Sequence, residues 1–441
     1  MLGNILHTLV FALQQMLAIL AATIAVPAIV GNGLTPATAM FGAGTGTLVY
    51  LFFTKMRSPV FLGSSFAFIG SMLAAFAGGV SANLGMLGLI VGALFAGLVY
   101  VVISIVVRHT GVDWLHRLTP AVIIGPTVSV IGLSLARNAI SDLGHLDATV
   151  TEAPSHVAIL CGLATLFITM LCSTYGKKKL KMFPFVVGIL AGYVISAAFT
   201  VIGTIYKIPS LMVIDFSVFK KYMIVDGSFG IQSFVALPDF VFTHALSGVG
   251  EFSTQYLMTI LVAYVPVAFV VFAEHIADHK NLSSVIHRDL FKDPGLHRTL
   301  RGDGVGSFVG ALFGGCPNTT YGESIACVAI TGHSSPHTIA IAALGCIVFS
   351  FVTPFVAFID SIPACVMGGV CISLYGFIAV SGLKMLQKVD LDQNRNLFVA
   401  SIILIAGIGG ITISVGAVTL TNIAVALILG IIVDAMLSKK G

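Results

Sequence analysis

The chain has 441 residues, of which 57% are hydrophobic and only 9% charged, with a formal net charge of +4 and a mean hydropathy of +1.04. A soluble domain draws about a quarter of its residues from Asp, Glu, Lys and Arg to face water, so this composition excludes a water-soluble globular protein, and so mild a charge points to no nucleic-acid partner. Lipid must face most of the surface, and the expected class is an all-α polytopic membrane protein.

Hydrophobic runs of about 20 residues, the length a helix needs to span a bilayer, recur from end to end; examples are Ile5 to Ile29, Met86 to Val107, Pro184 to Ile205, Tyr256 to Ala273 and Asn422 to Leu437. The first run has no basic segment before it and is longer than the core of a cleaved leader, so it reads as the first transmembrane helix. Near the start of the third span comes Pro59-Val60-Phe61-Leu62-Gly63-Ser64-Ser65-Phe66-Ala67-Phe68, and near the tenth Pro317-Asn318-Thr319-Thr320-Tyr321-Gly322-Glu323. Each joins a proline, a pair of small hydroxyl residues and an aromatic, and each precedes a stretch too short to cross the membrane as a full helix. Polar, extended backbone at membrane depth survives only where protein buries it or where it lines an aqueous cavity. Transporters built from inverted repeats place such broken segments in corresponding positions of their two halves. The plainer reading, two turns outside the membrane, is opposed by flanking runs that leave little room for loops.

The stretch from Lys207 to Gly248 mixes apolar and polar residues and reads as an outer loop with short interfacial segments. In the eighth span, Glu274 and Asp278 are four residues apart and share one helix face. Glu323 lies in the tenth. An unpaired acid in hydrocarbon costs several kcal/mol, so these three mark a cavity, a proton-coupling site or, as the bland alternative, polar locks between helices. Asp278, beside His279 and Lys280, reads equally well as a residue at a helix end. His275 points away from its neighbour Glu274 and defaults to packing. His279 to Asp303 reads as a charged inner loop, and Asp434 as a helix-end residue near Lys439. The seven cysteines sit in apolar segments without a Cys-x-x-Cys pair, as small buried hydrophobes rather than metal ligands; neither a metal nor a cofactor is expected. Alternating the loops through about fourteen spans puts 18 of the 22 Lys and Arg on one side. Basic loops stay cytoplasmic, so both termini are expected inside a multi-pass cell-membrane protein.

Five motifs in order carry a likeness to a known family: Gly63 to Phe68 (GSSFAF), Ala273 to His275 (AEH), Asp293 to Arg298 (DPGLHR), Pro317 to Glu323 (PNTTYGE) and Pro363 to Val370 (PACVMGGV). The chain resembles the nucleobase–ascorbate transporter family, and within it the bacterial uracil–proton symporters. The resemblance implies about 14 transmembrane segments in a 7+7 inverted repeat, with short extended stretches in spans 3 and 10. It implies a core domain from residues 1–110 and 251–360 and a gate domain from 111–250 and 361–441, with a homodimer forming through the gate domain. Uracil would bind between the two, held by the carboxylates of Glu274 and Glu323, the backbones at Phe66 and Gly322, and the wall made by Tyr321. Glu274, Asp278 and Glu323 would couple protons to import. Three positions depart from the pattern: Asp278 stands where the best-known uracil symporters have histidine and purine carriers have aspartate, Ser324 where asparagine is usual, and Gln14-Gln15 where Gln-His is usual. A xanthine or urate symporter is therefore the alternative substrate reading, and an anion exchanger or channel of the same fold a more distant one. No nucleophile–base pair supports an enzyme.

Overall fold

The structure, a computed structural model, describes residues 2–111, 120–145, 155–177, 181, 184–224, 228–415 and 418–438. Arg117, Lys178, Lys179, Lys439 and Lys440, counted above among the basic residues of one side, lie outside the described residues. Helices α1 (Leu2–Val30) and α2 (Pro36–Phe53) lead to a strand β1 (Leu62–Ser64), a single turn of 3-10 helix (Phe66–Phe68) and the short helix α3 (Ile69–Ala75). Next come α4 (Ala82–Thr110), α5 (Ala121–Ser134), α6 (Ala136–Leu143), α7 (His156–Tyr175) and α8 (Pro184–Tyr206). The stretch after α8 holds only short elements, among them α9 (Ser217–Met223) and α10 (Val241–Ser247), in keeping with its mixed composition. The chain continues with α11 (Thr254–Val285), α12 (Leu296–Gly314), strand β2 (Asn318–Thr320), α13 (Gly322–Thr331), α14 (Pro336–Ser350) and α15 (Thr353–Asp360). It closes with α16 (Ala364–Leu386), α17 (Asn394–Ile408), the strands β3 (Ile413–Val415) and β4 (Val418–Leu420), and α18 (Asn422–Leu437).

Hydroxyl side chains start the long helices. Thr35, Ser81, Ser155, Ser253 and Thr421 each accept a hydrogen bond from a first-turn backbone N–H of α2, α4, α7, α11 and α18, satisfying a donor that the helix itself cannot. Among the described residues, 7 helices are long and apolar enough to cross a membrane, and shorter apolar helices accompany them. Side chains such as Phe52, Ile205 and Ile405 are exposed, the pattern of a surface facing lipid. Glycines set the closest helix contacts. A Cβ on Gly46 of α2 would sit 2.6 Å from the carbonyl oxygen of Gly306 in α12, and one on Gly97 of α4 would sit 2.5 Å from that of Gly304. Small residues let backbones approach this closely where the hydrophobic effect gives no drive between helices.

β1 and β2 pair antiparallel, bringing together the two segments that sequence alone marks as broken. The helices that follow them, with 7 residues in α3 and 10 in α13, reach only about 10 and 15 Å at 1.5 Å per residue. The hydrocarbon core is about 30 Å thick, so neither crosses it alone.

One expectation is corrected. His279 to Asp303 is not a loop: α11 runs on to Val285 and α12 begins at Leu296, and His279 and Asp303 are each only 1% exposed. The density of charge between them hides two helix ends, where Tyr50 of α2 bonds His279 and His275 of α11 bonds Asp303. Asp434 lies in the last turn of α18, a helix-end residue as read, and its Oδ1 pairs with Arg395 of α17, 2.8 Å from Nη2. A second two-stranded ribbon, β3 with β4, has no counterpart among the sequence expectations.

Candidate functional site

The ribbon positions the site. Leu62 faces Thr320, Gly63 faces Thr319 and Ser64 faces Asn318, and the pairing extends at both ends through Ser65 N–H to the Pro317 carbonyl (2.9 Å) and Tyr321 N–H to the Phe61 carbonyl (3.1 Å). Two strands of three residues cannot hold themselves together, so side chains brace them. Thr47 Oγ1 accepts from Leu62 N–H (2.9 Å) and donates to the Leu62 carbonyl (3.1 Å). Asn318 Nδ2 donates to the Gly42 carbonyl (2.8 Å). Tyr321 ties the segments to each other: its hydroxyl donates to the Ser64 carbonyl at 2.7 Å. Backbone polar groups that neither lipid nor helix could satisfy are thereby paired inside the protein.

Beside the ribbon lies a cavity of about 460 Å³, lined by Glu274 and Asp278 of α11, by Ser65, Phe66 and Ala67, by Thr320, Tyr321, Gly322 and Glu323, and by side chains of α5 and α16. This volume falls in the range of small-molecule sites. The sequence-derived site residues Glu274, Asp278, Glu323, Phe66, Tyr321 and Gly322 thus meet at one cavity. Tyr321 is 4% exposed and its hydroxyl is already engaged, so it offers the cavity its ring rather than a free donor. Gly322 opens α13, and a Cβ there would touch nothing within 4 Å. The first N–H groups of a helix lack intrahelical acceptors and sit at its positive dipole end; Gly322 and Glu323 supply them here. Phe66 meets Tyr375 of α16 edge-on at 5.7 Å. Lys181 and Ser173 also line the cavity, carrying it to the neighbouring ends of α7 and α8.

Asp278 is no loosely solvated helix-end group: Thr320 Oγ1 donates to its Oδ2 at 2.6 Å. Behind it, His275 Nδ1 lies 2.6 Å from Asp303 Oδ2 and its Nε2 lies 3.0 Å from Thr299 Oγ1. His279 stacks on His275 with centroids 3.9 Å apart and holds Tyr50 Oη at 2.7 Å. His275 therefore packs away from Glu274, as expected, but as half of a buried ionisable pair. Sequence reasoning misses Asp303 and Thr320. The signal for Asp303 is its place in Gly302-Asp303-Gly304-Val305-Gly306, a glycine spacing suited to close helix packing; for Thr320 it is membership of the broken tenth segment. Two departures from the family pattern also meet, since Gln15 Nε2 donates to the Ser324 carbonyl at 3.3 Å. Ser324 Oγ in turn accepts from Phe61 N–H at 3.3 Å. Among the described residues no group of three or more His, Cys, Asp or Glu is arranged to hold a metal ion.

Known proteins share both the sequence pattern and the fold. The profile described as "Permease family" (Xan_ur_permease) matches residues 6–416. The uracil permease of Bacillus subtilis (strain 168) is 37% identical over 436 residues, covering 97% of this chain and 92% of that protein. The uracil permease of Escherichia coli (strain K12) is 35% identical over 429 residues, covering 97% and 90%. Among solved structures, the transmembrane domain of a cyanobacterium bicarbonate transporter, BicA, superposes with a TM-score of 0.64 at 16% identity, covering 98% of this chain and 97% of that one. The fold is thus a helical, multi-pass transporter fold.

Proposed function

We propose, from the premise that this chain belongs to the permease family of nucleobase–ascorbate transporters, that it imports uracil by proton symport. The observation that carries the reading is the cavity at the β1–β2 ribbon, which three carboxylates line together with the first turn of α13. Uracil offers two N–H donors and two carbonyl acceptors on one flat ring. Glu274 and Glu323 match the donors, backbone N–H groups at Phe66 and Gly322 match the acceptors, and Phe66 and Tyr321 supply aromatic contact. The relatives named above are uracil permeases, which favours this substrate.

The reading includes about fourteen spans in two inverted halves, with β1 and α3 in one half corresponding to β2 and α13 in the other. Residues 1–110 and 251–360 form the moving core; 111–250 and 361–441 form the gate. The glycine contacts of α2 and α4 with α12 fall within the first group, and a Cβ on Gly125 of α5 would lie 3.0 Å from the Gly382 carbonyl of α16 within the second. With both termini cytoplasmic, Lys181 lies on the cytoplasmic side of the cavity. A carboxylate that takes a proton or a charge-assisted bond from the ligand lowers the cost of carrying the site across lipid, which links proton and substrate.

The test is uptake by reconstituted protein: uracil should accumulate when the outside is acidic, and a protonophore should abolish it. Accumulation that ignores the protonophore and follows sodium would overturn proton coupling. Crosslinks between α1 and α5 should stop transport, whereas crosslinks between α3 and α13 should not; the opposite pattern would contradict the domain division. Asp278 favours a second reading, a xanthine or urate symporter, and labelled xanthine in the same assay decides it. An anion exchanger is opposed by the two glutamates at the site.

A further inference from the structure

Thr320 has no part in the site as read from sequence, yet it makes the shortest polar contact to any of the three cavity carboxylates among the described residues: its hydroxyl donates to Asp278 Oδ2 at 2.6 Å. Its backbone pairs with Leu62 in the ribbon, the residue is 8% exposed, and both Thr320 and Asp278 line the cavity. A carboxylate has two oxygens, and Thr320 commits one of them as an acceptor. We propose that Thr320 is a positioning residue for Asp278: it holds Oδ2, leaves Oδ1 as the oxygen that takes the transported proton or a ligand N–H, and ties that event to the broken segment carrying Gly322 and Glu323.

This rests on the proton-symport reading above. The proton arrives at Oδ1 from the aqueous cavity and leaves by the same route, while Oδ2 keeps the threonine hydroxyl in either state. Asp278 feels charged and titratable groups on every side: Glu274 on its own helix, Glu323 on α13, Asp303 on α12, Tyr50 on α2 and Tyr100 on α4; the buried His279 is its neighbour in sequence. Lys181 lines the same cavity. All of these are left in place by a change at Thr320, so the hydroxyl's effect can be isolated.

Donation to a carboxylate favours the ionised form. Removing the hydroxyl in the near-isosteric Thr320→Val should therefore move the pH profile of transport upward, by about one pH unit for a charge-assisted bond. Thr320→Ser should restore the wild-type profile. In an Asp278→Asn background, where that carboxyl no longer titrates, Thr320→Val should leave the remaining pH dependence of uracil binding unchanged. A parallel infrared titration of ligand-free protein, following the protonated carboxyl band that Asp278→Asn removes, should show the same upward movement without any need for uracil. Failure of wild-type protein to transport uracil would strike the symport reading, whereas an infrared band unmoved by Thr320→Val strikes this inference alone. A Thr320→Val profile superimposable on wild type would reduce Thr320 to packing, and additive effects in the double variant would place its action elsewhere. Thr320→Ala, with the same expected shifts, serves if the valine variant does not insert.

Discussion

The ring of Tyr321 lies directly against Gly63, so close that a Cβ on Gly63 would stand 2.4 Å from Cε2 and Cζ, while the Tyr321 hydroxyl holds the neighbouring Ser64 carbonyl at 2.7 Å. The tyrosine cannot swing aside without releasing that bond, so the side chain and the glycine are fitted to each other. Gly63→Ala should displace the ribbon and lower uracil uptake by about tenfold or more, a loss of roughly 1.4 kcal/mol, in protein that still inserts. Tyr321→Phe keeps the ring and gives up one hydrogen bond, worth about 1 kcal/mol, so its loss should be nearer fivefold. Uptake in vesicles matched for protein content separates the two; a fully active Gly63→Ala would mean the ring is free to move.

The His275–Asp303 pair makes a stability prediction. Both side chains are essentially sealed, at 0% and 1% exposure, and leaving a buried polar group without its partner typically costs about 1–3 kcal/mol. Asp303→Ala should lower the apparent unfolding temperature in detergent by several degrees. Replacing both by leucine should recover part of the loss, because no uncompensated polar group then remains buried. A single variant as stable as wild type would show that the pair is not a structural element.

Outside the apolar membrane-spanning helices, Arg57 and Arg288 converge on Asp293. Arg57 Nη1 lies 2.5 Å from Oδ1, and Arg288 bonds the other oxygen. The two guanidinium groups, Arg57 first, hold the Asp293 carboxyl below its ordinary range. A carboxyl depressed on folding contributes stability that is present above the unfolded value, about 3.9 for Asp, and lost as pH falls through the lower folded value. Asp293→Asn should therefore weaken the protein at neutral pH and converge with wild type in strong acid. The pair is half exposed, so the difference should be small and should shrink in high salt. A stability gap that persists unchanged into acid would contradict this origin.

Much of the site is legible in the amino-acid sequence, because the membrane makes irregular backbone and carboxylates conspicuous. Pro59 to Phe68 and Pro317 to Glu323 stand out as interruptions of apolar runs, and the two meet in the ribbon. Glu274, Asp278 and Glu323 stand out as acids in apolar surroundings, and they share a cavity. Asp303 is hidden by the opposite circumstance. It follows Arg298 and Arg301 in sequence, so local composition assigns it to a loop, and only the fold brings His275 to it. Thr320 is marked only by its place in the broken tenth segment. Hydroxyls in membrane helices usually bond their own backbone, as Thr127 does to the Ile123 carbonyl at 2.7 Å, and nothing further in the sequence shows that this strand threonine reaches a carboxylate on α11.

The most direct measurement of the central claim is calorimetry of uracil binding to purified wild type and Glu323→Gln. An ionised carboxylate accepts only, whereas the glutamine amide loses the charge and turns a donor toward the ring's N–H. Loss of a charge-assisted hydrogen bond costs about 1.5–3 kcal/mol, or roughly ten- to a hundredfold in affinity. The expected result is that Glu323→Gln stays folded and inserted but loses most uracil affinity. Uracil affinity within about twofold of wild type would make Glu323 a structural lock and contradict the assignment of the cavity as the uracil site.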